Sequence, residues 1–378
     1  MALQLEEEEN FCYAMQLVFS SVLSMSMQSA IELGIFDIIA KAGPGAKLSS
    51  SEIAAHIGSG TRNSEAPMML DRILRLLASH SILSCSAVAN EEDGSDSQRL
   101  YSLGPVSNYF VTNEDGVSLG PLMALIQDKV FLDSCLINMV HIDIDRSQLK
   151  DAVVEGGIPF NKVHGTHAFE YPGLDARFNQ VFNTAMFNHT TIVMKKILHL
   201  YKGFEKLTQL VDVGGGLGVT LSLITSKHPH IKGINYDLPH VVKHAPSYPG
   251  VEHVGGDMFA SVPSGDAIFM KFEVILTKWI LHDWSDQHCL KLLKICYNAI
   301  PEDGKVIIVE AVLPVMSETS TAVKSTSQID VLMMTQNPGG KERSREEFMA
   351  LATGAGFSGI KYECFVCNFW VMEIFNLI

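Results

Sequence analysis

The chain has 378 residues, 47% of them apolar, which is enough to bury a large core and to form two domains. Its formal net charge is −14 with no basic cluster, which argues against nucleic acid and anionic membrane surfaces as partners. Seven cysteines, an odd number and scattered, offer no disulfide framework.

The N-terminal Glu6-Glu-Glu-Glu9 is the reverse of a basic signal-peptide start. The apolar run from Phe11 to Met27 is broken by Gln16 and several serines, so it reads as a buried amphipathic helix rather than a membrane span. A soluble, cytoplasmic protein is expected. Helical spacing covers Phe11 to Ala40 and Met68 to Leu83, the latter with Leu70, Ile73, Leu74 and Leu77 on one face. Ser49-Ser-Ser-Glu52 has the form of a capping box and starts a short helix at Ser50 to His56. The polar, hairpin-like stretch Asn90 to Gln98 then leads into Leu100-Tyr-Ser-Leu103. Together these predict a winged-helix-like unit over residues 1–118. It lacks the Lys and Arg that phosphate binding requires, so dimerisation or scaffolding is its expected role.

Residues 119–202 read as a helical segment, and from 203 to 378 strands alternate with helices. Strands are predicted at Gln209–Val213, Gly233–Tyr236, Glu252–Val254, Ala267–Met270 and Val306–Val309. That βαβ rhythm predicts an α/β fold with a doubly wound parallel sheet. Tyr362 to Phe375 reads as closing strand material, which places Cys364 and Cys367 on opposite faces of a strand and makes their CxxC spacing structural.

The first predicted strand of this sheet runs into Leu210-Val-Asp-Val-Gly-Gly-Gly-Leu-Gly218. Glycines at a strand-to-helix turn let the backbone approach a ligand closely. A dinucleotide site wants G-x-G-x-x-G, but read from Gly214 that pattern puts Val219 in the third glycine position. Read from Asp212 as D-x-G-x-G-x-G the fit is complete, through Gly214, Gly216 and Gly218. This is the pattern for S-adenosylmethionine, which has no phosphate to bind. Asp237, closing the next strand, can accept from ribose hydroxyls. Asp257 after the third strand can meet the adenine amino group, and Met258 can pack on the ring. The plain alternative is that both acids are helix caps.

Trp279-Ile-Leu-His-Asp-Trp284 follows the fourth strand, at the carboxyl edge where open α/β sheets bind ligands. His282 is the candidate general base, flanked by Glu310 at the end of the next strand and by Glu342 from the Pro338-Gly-Gly-Lys-Glu loop. Methyl transfer to oxygen needs a phenolate-like nucleophile. With a phenol near pKa ~10 and imidazole near ~6.5, proton transfer is uphill by on the order of 5 kcal/mol. Carboxylates that stabilise the imidazolium offset much of that. No metal is expected, since no ligand cluster suggests one.

The chain resembles the plant S-adenosylmethionine-dependent phenolic O-methyltransferases, most closely those acting on caffeic acid. The resemblance covers nearly the whole length. It rests on Glu155-Gly-Gly-Ile-Pro-Phe-Asn-Lys, Ala168-Phe-Glu-Tyr, Val211-Asp-Val-Gly-Gly-Gly, Lys232-Gly-Ile-Asn-Tyr-Asp-Leu-Pro-His, Tyr248-Pro-Gly-Val-Glu-His-Val-Gly-Gly-Asp-Met-Phe, His282-Asp-Trp-Ser-Asp and Asn337-Pro-Gly-Gly-Lys-Glu-Arg. It implies a homodimer formed through the N-terminal domain, a Rossmann-like methyltransferase domain, and S-adenosyl-L-methionine as cofactor. His282 would be the base, positioned by Glu310 and Glu342. Asp212, Gly214, Gly216, Asp237, Asp257, Met258, Trp284 and a lysine after the fourth strand would hold the cofactor. Ala168, Phe178, Phe182, Met186, His189, Leu332, Met333 and Asn337 match the phenolic pocket, although without the resemblance they read equally well as helix-packing core.

The chain departs from that family in four places. Seven extra residues, Phe272-Glu-Val-Ile-Leu-Thr-Lys278, separate Phe269-Met-Lys271 from Trp279, so two lysines compete for one role. Lys271 keeps the spacing from Asp257, and Lys278 keeps the spacing from His282. A second insertion spans Cys135 to Gln148. Ile126 and Pro172 stand where caffeate-type enzymes carry Asn and His, which removes polar groups that read ring substituents. The leading reading is methyl transfer to a phenolic hydroxyl of a phenylpropanoid, such as caffeate or 5-hydroxyferulate, or of a flavonoid. Two alternatives are the same chemistry on another small phenol, and a cofactor-binding subunit impaired by the insertion before His282. A nicotinamide oxidoreductase is disfavoured by the missing third glycine.

Overall fold

The computed structural model describes residues 2–57, 63–88, 98–135, 148–168, 170–271 and 281–376. Most of the polar stretch before Gln98, most of the insertion between Cys135 and Gln148, and the whole insertion 272–278, Lys278 included, lie outside the described residues. The chain divides into two compact units, Met1–Gln127 and Asp128–Ile378.

In the first unit the stretch from Phe11 to Ala40, expected to be helical, is divided among three helices: Ala2–Val18, Ser20–Glu32 and Ile35–Lys41. Gly34 supplies the second break, at φ 68°, in the left-handed region that side-chain-bearing residues avoid. The run from Phe11 onward is not buried within the chain. Phe11 is 64% exposed, and Tyr13, Leu17 and Phe19 are exposed beside it. An apolar helix left uncovered by its own chain is the surface expected of an association element. Among the described residues no single helix is long and apolar enough to cross a membrane.

The capping box forms as its spacing predicts. Ser49 accepts from the Glu52 N–H and Glu52 accepts from the Ser49 N–H at 2.7 Å, starting the helix Ser50–His56. The next helix, Ala66–Ser79, buries Leu70, Leu74 and Leu77. It stops short of the expected Leu83, which instead opens a strand. Strands β1 (Leu48–Ser49), β2 (Leu83–Val88) and β3 (Gln98–Leu103) pair antiparallel in the order β1-β3-β2. Asp71 ties this sheet to the helix, accepting from Tyr101 Oη at 2.7 Å and from both Nε and Nη2 of Arg99. The result is the winged-helix-like arrangement expected.

The second unit is built on a seven-stranded sheet of β4 (Gln209–Val213), β5 (Lys232–Asp237), β6 (Val251–Gly255), β7 (Ala267–Lys271), β8 (Lys305–Glu310), β9 (Gly359–Val366) and β10 (Phe369–Phe375). Their order is β6-β5-β4-β7-β8-β10-β9. The expectation of a parallel sheet holds for the first five. The closing run is two strands, not one: β10 lies antiparallel to β8, and β9 folds back on β10. Cys367 and Asn368, at φ 52° and 69°, form the two-residue turn between them, so Cys367 sits at a hairpin tip rather than within a strand.

Helices Asp286–Ala299 and Arg345–Ala355 bury Leu292, Leu293, Cys296, Phe348 and Ala352 against Ile268, Met270, Val306, Ile308 and Met372 of the sheet. The 25-residue helix Ala176–Leu200 is capped by Asp175, which accepts from the Phe178 N–H at 2.9 Å. The chain leaves β4 toward β5 and β6, then crosses back to place β7 on the other side of β4. The carboxyl ends of β4 and β7 therefore flank a topological switch point, where open α/β sheets bind their ligands.

Candidate active site

At the end of β4 the backbone makes a turn that only glycine adopts without strain. Gly214, Gly216 and Gly218 lie at φ 67°, 53° and 81°. Gly215 is required for a different reason: a Cβ there would collide with Asn235 Oδ1 and come within 2.6 Å of Asp212 Oδ2. Asp237, at the end of β5, accepts the Gly216 N–H at 2.8 Å and the Leu238 N–H at 2.7 Å, one on each carboxylate oxygen. A carboxylate has about four acceptor positions, and ribose hydroxyls are donors of the kind it can take. Asp257 follows β6 and accepts the Phe259 N–H at 2.9 Å, a turn-capping bond of the plain kind weighed against its ligand role. Met258 and Trp284 both pack at the margin of the sheet's core, with Trp284 edge-on to Phe259 at 4.9 Å. Lys271 ends β7 fully inside the protein, and its Nζ donates to Thr190 Oγ1 of helix Ala176–Leu200 at 3.1 Å.

His282 is 1% exposed, and its ring lies between two carboxylates. Nδ1 is 2.9 Å from Glu342 Oε1 and Nε2 is 3.2 Å from Asp283 Oδ2. The carboxylates in direct contact with the ring are Glu342, as expected, and Asp283, while Glu310 stands in the same cluster without bonding the ring. Glu310 instead accepts the Leu281 N–H at 3.1 Å, steadying the backbone that carries the base. Burial alone would depress the imidazole pKa, but the charges of Asp283 and Glu342 outweigh it and lift the pKa well above 6.5. Burial pushes Asp283 and Glu310 in turn up to about 7, although the positive ring beside them works the other way.

The loop after helix Thr321–Gln336 closes on this histidine. Lys341 N–H donates to the His282 carbonyl at 2.7 Å, Asn337 Nδ2 donates to Asp283 Oδ1 at 2.8 Å, and Asp330 accepts the Glu342 N–H at 2.8 Å. A Cβ at Gly340 would sit 3.1 Å from the His282 carbonyl, which explains the glycines of the Pro-Gly-Gly turn. Arg343 completes the assembly with no exposed surface. It donates to the carbonyls of Leu281 and Trp284 at 2.5 and 2.7 Å and to Asp286 at 2.9 Å.

Asp283 and Arg343 were not singled out from sequence. Both stand next to residues that were, in His282-Asp283 and Glu342-Arg343, and a charged neighbour of a candidate base is itself the available signal. The structure also assembles a set of ligand-type atoms that the sequence did not suggest: His282, Glu310 and Glu342 each offer one, all within 4.8 Å of each other. Two of the three residues are already bonded to each other, through His282 Nδ1 and Glu342 Oε1.

Phe178, Phe182, Met186 and His189 all lie buried along helix Ala176–Leu200. Phe178 meets Tyr171 edge-on at 5.6 Å and Phe131 at 5.8 Å, and His189 stands edge-on to Phe369 at 6.0 Å. Ala168 and Met333 are fully buried, Leu332 half-buried. Of the expected acceptor set, Asn337 is the member hydrogen-bonded directly to the His282–Asp283 pair.

Residues 147–358 match the family model of an O-methyltransferase domain, and residues 15–113 that of an O-methyltransferase dimerisation domain. A catechol O-methyltransferase 1 from Solanum lycopersicum is 59% identical over 100% of this chain and 98% of its own length. Caffeic acid 3-O-methyltransferase 1 from Populus kitakamiensis is 57% identical over 98% and 95%, and anthranilate N-methyltransferase from Ruta graveolens 55% over 98% and 95%. Among solved structures, human N-acetylserotonin methyltransferase in complex with SAM superposes with a TM-score of 0.73 over 98% of each chain, at 19% identity.

Proposed function

Because the chain belongs to the O-methyltransferase family of these plant relatives and uses S-adenosylmethionine, we propose that it methylates a phenolic hydroxyl of a phenylpropanoid, such as caffeate or 5-hydroxyferulate, or of a flavonoid, with His282 as general base. The observation that carries this reading is the buried imidazole held between Glu342 and Asp283 at the carboxyl edge of the sheet.

The glycine turn and its acids suit the cofactor. Three left-handed glycines open the backbone, and no basic residue in the turn calls for a phosphate. Gly214, Gly216, Asp237, Asp257 and Met258 would hold it. When bound, S-adenosylmethionine supplies a methyl group on a positively charged sulfur.

The protein's own part is to make the acceptor oxygen nucleophilic. Glu342 fixes the orientation of the ring through Nδ1, leaving Nε2 to take the phenolic proton. The phenol reaches Nε2 by displacing the Asp283 carboxylate, which Asn337 holds from its other side. Glu342, which stays on Nδ1 when Asp283 is displaced, keeps the imidazole pKa raised toward that of a phenol, near ~10, and so reduces the cost of that transfer. The apolar side chains Phe178, Phe182, Met186 and Met333 would cover the ring. The N-terminal domain, with its uncovered first helix, would pair two copies of the chain, and the cytoplasm is the compartment we assign.

Purified protein and labelled S-adenosylmethionine, offered caffeic acid, 5-hydroxyferulic acid, catechol, a flavonoid and anthranilate, test the reading. Turnover on a phenol that is lost in His282→Ala supports it. Methylation confined to the anthranilate amine overturns the oxygen acceptor. Cofactor binding by calorimetry with no turnover on any acceptor, and recovery of turnover on deleting residues 272–278, would identify an impaired subunit instead.

A further inference from the structure

Buried parallel strands are normally filled with apolar residues. Across the three strands beneath the glycine turn, a polar residue instead occupies the same level in each. Asp212 of β4 is in register with Asn235 of β5, and Asn235 with His253 of β6. Asn235 has no exposed surface and Asp212 is 3% exposed, while His253 is half-buried at the sheet's edge.

The hydrogen bonds of this row run in one direction. Asn235 Nδ2 donates to the Gly216 carbonyl at 2.7 Å, and it lies 3.0 Å from His253 Nδ1. An amide nitrogen only donates, so Nδ1 accepts and the imidazole keeps its proton on Nε2. Nε2 lies 2.9 Å from the Pro246 carbonyl, which can only accept. One neutral tautomer therefore satisfies both contacts. The opposite rotation of the Asn235 amide would aim its oxygen at two acceptors, the Gly216 carbonyl and Nδ1. His253 thus fixes which way the amide faces. The amide oxygen lies directly against Gly215, and His253 Cε1 stands 2.9 Å from where a Gly218 Cβ would be. Both side chains are fitted to the turn as well as bonded to it.

We infer that Asn235 and His253 are positioning residues for the cofactor: the chain Pro246–His253–Asn235–Gly216 holds the glycine turn in its binding shape from beneath. Neither side chain needs to touch the ligand. Their loss acts on cofactor affinity and leaves the acceptor side unchanged.

Calorimetric titration of the full-length chain with S-adenosylmethionine, alongside steady-state kinetics, tests this. His253→Leu and Asn235→Ala should each raise the cofactor Kd and KM about three- to tenfold, with acceptor KM and kcat at saturating cofactor little changed. His253→Gln offers an amide oxygen to Asn235 and an N–H to Pro246, and should bring the Kd back to within about twofold of the parent. The double variant His253→Leu/Asn235→Ala should bind no more weakly than Asn235→Ala alone, as a serial relay requires. The inference is overturned by a Kd unchanged in His253→Leu, by His253→Gln binding as weakly as His253→Leu, or by additive losses in the double variant. If substitution at the buried position 235 prevents folding, the two half-buried position 253 variants decide the question. Asp237→Ala, measured in parallel, reports on the cofactor site itself, so failure of the relay and failure of the site are distinguished.

Discussion

Between Asp212 and Asp257 the edge of the sheet is shaped by backbone: glycine conformations, and N–H groups gathered by carboxylates nearby in sequence, as when Asp237 reaches back 21 residues to Gly216. Around His282 the same edge is shaped by side chains that arrive from far apart. Glu342 lies 60 residues on, and Glu310, Asn337 and Arg343 come from a strand and a loop between and beyond. The first region is held by bonds from backbone N–H groups to single carboxylates and by the neutral Asn235 amide. The second packs three carboxylates and an imidazole together, all almost fully buried, so each group's charge depends on the others. A cofactor can therefore find its turn ready-made, whereas the base is only as good as the cluster around it.

Removing the base should separate the two regions most sharply. His282→Ala is expected to lower kcat by about a thousandfold, the scale of general-base catalysis, while the calorimetric Kd for S-adenosylmethionine stays within about twofold. A matching loss of cofactor affinity would show that the two halves are one unit. Arg343 comes next. Replacing it with Leu leaves the Leu281 and Trp284 carbonyls without their donor and Asp286 without its partner, at a cost of about 3 kcal/mol in chemical denaturation. Lysine should rescue only part of this, because it lacks the planar fork that serves three acceptors at once. On the other side of the comparison, Gly215→Ala puts a methyl group into Asn235 and Asp212 and should weaken cofactor binding about tenfold, with kcat at saturating cofactor largely kept.

The same contrast decides what could be read from the sequence. The strand positions β4 to β8 were legible to within a residue or two because short β-prone runs alternate there with helical segments, most plainly the apolar runs of β4, β7 and β8. The glycine turn was legible because D-x-G-x-G-x-G is contiguous. His282, Glu310 and Glu342 could be named as a group from their places at the carboxyl edge of the sheet, but their pairing could not. Nothing local to Glu310 says that it would take the Leu281 N–H while Asp283 took the ring. The hairpin at Cys367 was hidden because its tip carries no glycine, and two residues at positive φ are rarely non-glycine. Asn235 carries a signal of its own, since an amide in the middle of a buried parallel strand is an anomaly. The breaks in the N-terminal helix and its exposure come from the same limit: apolar periodicity shows which face seeks cover, not whether this chain or another supplies it.

The smallest expected effect tests the charge coupling directly. Burial raises Glu310 to about 7, against 4.5 for an ordinary glutamate, so the folded protein holds this proton more tightly than the unfolded chain does. Stability from this group is therefore fully present below about pH 4.5 and is lost as pH rises toward about 7. Glutamine at 310 can still accept the Leu281 N–H but does not titrate. Asp283, pushed up to about 7 by the same burial, is present in both proteins, so the difference between them reports Glu310 and its coupling to Asp283. Relative to the parent, Glu310→Gln should thus gain about two to four degrees in Tm between pH 5 and pH 8, most of it by neutrality. Parallel Tm curves across that range would mean that Glu310 carries its charge without cost, and that the His282 cluster is as indifferent to protonation as the glycine turn beside it.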